Sequence, residues 1–176
     1  MEEKFIIDKL REEETRHYGF NLLIKEYQQR VYWHVRKMVV DHDDANDLTQ
    51  DIFVKVWNNI SSFREDAKLF TWIYRIATNE CLNFLAKKKR KYFIPIHDVA
   101  EELSGKLDSG VGISGDEIEL KLQKALLKLP DKQRLVFNMK YFEEMKFSEI
   151  SEVTGTSEGA LKASYHHATK KIEEFL

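Results

Sequence analysis

A single cysteine, Cys81, stands in the 176-residue chain. It excludes an intrachain disulfide and a cysteine-based zinc cluster, and it suits a reducing cytoplasm. Long apolar runs are missing too. No window approaches the roughly 18 apolar residues that a membrane span needs. The opening "MEEKFIIDKLREEETRHYGF" sets acidic residues around the short run Phe5–Ile7, the wrong pattern for a secretory signal. The expectation is a soluble, cytoplasmic protein with no membrane insertion. A phosphate-cradling glycine loop, a metal-ligand spacing and an organised nucleophile–base set are also lacking. The reading is therefore a non-enzyme with no cofactor and no catalytic or metal site. Strand alternation and hairpin dipeptides are absent, which argues against a β architecture.

What is present is helical periodicity. Hydrophobic residues make up 43% and charged residues 33%, a balance that suits a folded chain rather than disorder. Apolar residues recur at Phe20, Leu23, Tyr27, Val31, Val35 and Met38, the spacing of one helix face. "DHDDAND" (Asp41–Asp47) breaks the pattern with cap and turn formers. A second helix carries Leu48, Ile52 and Val56, and a third, from about Leu69 to Lys88, carries Ile73, Ala77, Cys81 and Leu85. Residues 94–116 hold Pro95 and four of the seven glycines. They read as a flexible linker, in which Val99–Leu103 leaves room for a short docked helix. Periodicity returns with Ile118, Leu122, Ala125 and Leu129, stops at Pro130, and resumes behind Asp131 as a cap with Leu135, Met139 and Phe142. The predicted fold is all-α: two small helical domains, 20–93 and 117–176, on the tether 94–116. Residues 1–19 form an N-terminal extension with room for a helix.

The end of the chain has helix-turn-helix punctuation. Ser148 is a candidate cap with Phe147 as an apolar staple, Gly155 a stop, and Thr156 or Ser157 the cap of a longer helix. That layout presents a reading helix to the major groove, although a plain helical hairpin shares it. Leu161, Tyr165, Ala168 and Ile172 share the inner face; Glu158, Lys162, His166 and Lys170 share the outer one, with Ser157, Ala163 and His167 beside it. His166 and His167 point about 100° apart, which argues against a shared metal. Phe147–Leu176 holds three Lys and no Arg against five Glu. Phosphate neutralisation supplies most nonspecific DNA affinity, so this module needs a partner to hold duplex DNA.

Positive charge is concentrated elsewhere. "SFREDAKLFTWIYRIATNECLNFLAKKKRK" (Ser62–Lys91) has eight basic residues against three acidic ones in a chain of net charge −2. Trp72, Arg75, Asn79 and Asn83 fall on one helical row, away from the Ile73–Ala77–Cys81 stripe, and Lys87–Lys91 extend it. Cations for phosphates, a ring for stacking and amides for base edges are what melted DNA requires. A buried Trp72 and a solvated helix end are the bland alternative.

On these residues the chain resembles a known family. "DLTQDIFVKVWNNISSFREDAKLFTWIYRIATNECLNFLAKKKRK" is similar to region 2 of the bacterial sigma-70 family, in its extracytoplasmic-function (ECF) group. "LQKALLKLPDKQRLVFNMKYFEEMKFSEISEVTGTSEGALKASYHHATKKI" resembles region 4 of the same group. The resemblance implies a dissociable initiation subunit of RNA polymerase that recognises and melts promoter DNA. It implies that Asp47, Gln50 and Asp51 dock on the coiled coil of the β′ subunit. It implies a −10 element reader built from Ser62, Phe63, Arg64, Lys68, Trp72, Arg75, Asn79, Asn83 and Lys87. The −35 reader would comprise Ser157, Glu158, Lys162, Ala163, His166, His167 and Lys170. Family members often carry arginine where this chain has Ser164, His167 and Thr169. Core RNA polymerase (β′ coiled coil and β flap), promoter DNA and an anti-sigma factor are the implied partners. A stand-alone helix-turn-helix regulator and a helical polymerase-binding adaptor are the competing readings.

Overall fold

The computed structural model describes residues 2–91, 105 and 117–176. Eight α-helices and no strand occur among them: α1 (Glu3–Arg11), α2 (Arg16–Val39), α3 (His42–Asn59), α4 (Leu69–Lys91), α5 (Glu117–Leu127), α6 (Asp131–Phe137), α7 (Phe147–Thr154) and α8 (Glu158–Phe175). A π-helical turn, Asn138–Phe142, extends α6. The linker expected at 94–116 lies outside the described residues apart from residue 105, as does the short helix considered at Val99–Leu103.

The periodic residues become the core. Leu23, Val31, Val35 and Met38 of α2 meet Leu48, Ile52 and Val56 of α3 and Ile73, Ala77, Cys81 and Leu85 of α4, all buried. Burial pushes the Cys81 thiol up to about 12, which leaves it unreactive. Between α2 and α3 the chain reverses in a γ-turn. The Asp41 N–H donates to the Val39 carbonyl at 2.8 Å across Val40, whose φ is +69°. A β-branched residue is strained there, and the burial of Val40 holds it in place. Asp41 then caps α3, its carboxylate accepting the Asp44 N–H at 2.9 Å.

The boundary drawn between residues 19 and 20 falls inside α2. α1 buries Ile6 and Leu10 against the bundle. Its C-terminal carbonyls are satisfied by the Thr15 hydroxyl, which donates to Lys9 O at 2.8 Å, and by Arg16 Nε, which donates to Leu10 O at 3.3 Å. The Glu3 carboxylate accepts the Phe70 N–H at 3.2 Å, at the start of α4. Gly19 makes this packing possible: a Cβ there would lie 2.8 Å from Leu10 N and 2.9 Å from the Lys9 carbonyl carbon. Both are backbone atoms that cannot step aside alone. Gly19→Ala is therefore expected to destabilise the fold by about 1–3 kcal/mol. Thermal melting followed by circular dichroism should show a midpoint roughly 2–10 °C lower.

In the C-terminal block, Gly155 ends α7 in the left-handed region (φ +73°), and Ser157 caps α8 by accepting the Ala160 N–H at 3.2 Å. Three expectations are corrected here. Ser148 is not the cap of α7, because the helix already begins at Phe147; the Glu149 carboxylate instead closes the start on the Lys146 N–H at 2.8 Å. Asp131 is the first residue of α6 rather than its cap, and its carboxylate is taken by Lys89. Ile118 leaves its predicted stripe and is 74% exposed. It sits in the first turn of α5, ahead of the part that packs with α6 and α8 through Ala125, Leu126, Leu129, Phe137, Ala168 and Ile172.

The two blocks are seated on one another. Leu135, Val136, Met139, Met145, Ile150, Val153 and Leu161 join the core of α1–α4 in one continuous apolar cluster. α7 lies along α4.

Candidate nucleic-acid interface

The outer side of α4 and the end of α3 form a shallow groove of about 420 Å³. Ser62, Trp72, Asn79 and Asn83 line it, together with Lys55, Asn59, Ile76 and Glu80. Four residues expected of the −10 reader are thereby brought together. Trp72 is half-buried rather than fully outward, because Phe63 packs on it with ring centroids 5.4 Å apart. That contact fixes the indole plane and leaves part of the ring facing the groove. The Ser62 hydroxyl donates to Asn59 O at 2.7 Å and the Asn59 amide to Lys55 O at 2.8 Å, so the rim is tied to α3. Arg64, Lys68, Asn79, Asn83 and Lys87 are exposed. Lys55 and Asn59, which also line the groove, were not among the expected residues, because they lie one helix earlier and carry no periodic signal of their own.

Arg75 departs from the predicted row. It is half-buried, and its Nε donates to the Glu152 carbonyl of α7 at 2.7 Å. It faces the C-terminal block instead of the groove, because the three residues from Trp72 turn the helix by about 300°, roughly 60° short of a full revolution, which sets Arg75 to one side of the row.

Beside Arg75 lies a buried polar cluster that the sequence did not announce. Glu143 follows the π-helical turn, whose i→i+5 bond from Glu143 N–H to Asn138 O spans 3.1 Å. That shift in helical register aims the carboxylate into the α2–α4 cleft. One oxygen lies 2.7 Å from His34 Nδ1 and the other accepts the Tyr74 hydroxyl at 2.6 Å. A carboxylate only accepts, so His34 carries its proton on Nδ1; Nε2 then meets the Thr78 hydroxyl at 3.1 Å. Burial alone would push the Glu143 pKa up. The nearby His34 and the hydrogen bonds from His34 and Tyr74, helped by Lys37, reverse that and hold it below the usual range. Burial and the Glu143 charge push the Tyr74 phenol strongly up, so it stays a donor. Arg134, also buried, donates to Met38 O at 2.9 Å.

A second surface is the outer face of α3. Asp47, Gln50 and Asp51 are all exposed there. Val54, 59% exposed, extends the same face one turn on; its i+3/i+4 spacing from Gln50 and Asp51 was the signal available for it. Gln50 and Asn46 also edge a groove of about 610 Å³ shared with Tyr32 and Trp33.

The third surface is α8. Ser157, Glu158, Lys162, Ala163, His166, His167 and Lys170 are exposed, while Leu161, Ala168 and Ile172 are buried. Tyr165, expected inside, is half-buried between Phe137 and Phe147. The outer face keeps its mixed charge, with Lys162 and Lys170 as cations against Glu158. No cluster of metal-ligating side chains occurs among the described residues, and no helix among them is long and apolar enough to cross a membrane.

Residues 23–91 match the family model described as Sigma-70 region 2, and residues 119–172 match Sigma-70, region 4. The ECF RNA polymerase sigma factor SigW of Bacillus subtilis (strain 168) is 30% identical over 166 residues, covering 90% of this chain and 89% of that protein. The RNA polymerase sigma-H factor of Pseudomonas aeruginosa is 26% identical, over 90% of this chain and 86% of its own. Among solved structures, the sigma factor RpoE in complex with the anti-sigma factor NepR from Bartonella quintana has the same fold. The TM-score is 0.67 at 21% identity, with 89% of this chain and 95% of that one aligned.

Proposed function

The chain belongs to the sigma-70 family, in its extracytoplasmic-function group, and from that premise we propose how its surfaces divide the work of starting transcription. As a sigma factor it directs transcription initiation. The finer assignment is that residues 20–93 dock on polymerase and read the −10 element, residues 94–116 tether, and residues 117–176 read the −35 element. The observation that carries this is the groove holding Ser62, Trp72, Asn79 and Asn83 on the one strongly basic stretch of the chain. A base leaving the duplex stacks on Trp72, and the two amides offer donors and acceptors to its edge. Arg64, Lys68 and Lys87 meet the backbone phosphates.

Asp47, Gln50 and Asp51, with Val54, form the docking face for the β′ coiled coil. The exposed face of α8 enters the major groove upstream, and the β flap supports it. Because that helix carries little positive charge, its affinity comes from being tethered to polymerase, which converts weak binding into an intramolecular event. Phosphodiester chemistry belongs to polymerase, and the site of action is the cytoplasm. RpoE of Bartonella quintana is bound by an anti-sigma factor, which supports a partner of that class here.

Run-off transcription tests the reading. Core polymerase plus this chain should yield discrete transcripts from a subset of genomic fragments of the source organism, and core polymerase alone should not. Tight shifting of duplex DNA by the purified chain without polymerase would favour a stand-alone regulator. Polymerase binding without any promoter-dependent transcript would favour an adaptor.

A further inference from the structure

We propose that α1 is a working part of the −10 reader, in which Glu3 and Arg11 are positioning residues that hold the loop 63–68 in the shape that takes a base. The proposal deepens the promoter-reading assignment above and rests on it. The loop joins the short helical turn Ile60–Ser62 to α4 and carries Phe63, Arg64 and Lys68 of that reader. Two features leave its shape open to control from outside. Glu65 stands in the left-handed region with φ +60°, where a residue other than glycine stays only if its surroundings hold it. At the loop's exit, Lys68 precedes the first residue of α4 and so occupies the cap position. A capping side chain must accept an amide proton, and lysine only donates.

α1 meets both needs. Arg11, its last residue, pairs with the Glu65 carboxylate. The half-buried Glu3 carboxylate, in its first turn, accepts the Phe70 N–H at 3.2 Å, an amide that the first turn of α4 leaves open. Glu3 thus does from another helix what Lys68 cannot do in its own. Between these ties, Ile7 and Leu10 face Ile60, Ser61 and Phe63 across a cavity of about 250 Å³. The gap leaves the loop room to shift, so packing alone does not set its course. The ion pair is exposed, 61% on the arginine and 40% on the glutamate, and such a pair adds little to stability. Its effect is on shape. Phe63 transmits that shape, because its ring lies 5.4 Å from Trp72, and the neighbouring Ser62 lines the groove. Displacement of the loop tilts the indole and moves the rim, whereas a pocket shaped in advance loses less binding free energy to ordering. α1 is itself seated on α2 at Gly19, so closely that a Cβ there would meet the Leu10 backbone.

The full chain is tested with core polymerase on two templates: a promoter found by run-off mapping, and the same promoter with the −10 base that most affects opening replaced. Wild type should open the first roughly 5- to 150-fold faster, the ordinary range for one wrong base. Arg11→Glu and Glu3→Ala should each cut that ratio by about three- to tenfold, as small misplacements at a reacting site do. Arg11→Lys and Glu3→Gln keep the charge and the acceptor and should keep the ratio. Arg11→Glu combined with Glu65→Arg should restore it. Amide exchange followed by NMR reads the brace without DNA. The Phe70 N–H should exchange about fivefold faster or more in Glu3→Ala, while amides in the core of α2 and α3 keep their protection. Unchanged Phe70 exchange overturns the brace. Equal slowing on both templates, or a double charge reversal that restores nothing, overturns the positioning role. Failure of the promoter-reading assignment is separately visible, as a wild-type chain whose Phe70 amide behaves as expected but which supports no run-off transcript.

Discussion

Trp72→Ala is expected to slow promoter opening by roughly 5- to 150-fold, the equivalent of about 1–3 kcal/mol for one lost base stack, while polymerase binding changes less than twofold. The indole is half-buried and held at 5.4 Å by Phe63, with Ser62, Asn79 and Asn83 around the same groove. Without it, an extruded base meets a methyl group and solvent, and the few kcal/mol lost on leaving the duplex go uncompensated. Duplex binding before melting involves the cations instead and should be nearly unaffected. Opening can be followed with a fluorescent base analogue in the −10 element, and polymerase affinity by co-purification and titration. Trp72→Tyr should recover most of the rate, because a ring face returns. Trp72 is not among the fully buried core residues, so the variant should keep its helical signal at 25 °C. Normal opening by Trp72→Ala, or a variant that unfolds, would remove the base-capture role.

The helices were legible because burial follows period. Val31, Val35 and Met38, or Ile73, Ala77 and Cys81, recur at the spacing of one face, and those faces are the core. Gly155 and Ser157 were legible for a local reason: only certain residues suit a left-handed stop or a cap. The misses have the opposite character. Val40 at positive φ is written nowhere in its type; valine argues against it, and packing from both sides imposes it. Glu143, beside Glu144, carries no sequence signal of its own. Its role depends on a π-helical turn that shifts the helical register and on a partner block more than a hundred residues earlier. Arg75 was set on the row by its spacing, yet it lies to one side of that row and a neighbouring helix claims it. That Trp72, Asn79 and Asn83 share one side of α4 was thus readable from spacing, whereas the pairing between blocks was not, because it is a long-range choice that local pattern does not encode.

Asp51→Arg is expected to weaken association with core polymerase by ten- to a hundredfold, as like charges set against each other across an interface cost several kcal/mol. The position is exposed on α3 beside Asp47, Gln50 and Val54, and surface substitutions of this kind shift folding stability by only about 0.5 kcal/mol. Lost binding would then report the interface and not the fold. Ionic strength separates charge from packing on this face. The penalty of Asp51→Arg should shrink between about 0.05 and 0.5 M salt, as the screening length falls to a few ångströms. Val54→Ala removes apolar surface only, at roughly 25 cal/mol per Å², and its smaller loss of affinity should be nearly independent of salt. Titration of labelled chain into core polymerase at both salt concentrations distinguishes the two. Unchanged affinity for Asp51→Arg at low salt would move the docking site off α3, and a salt-sensitive Val54→Ala would mean that its contact is not the apolar one proposed.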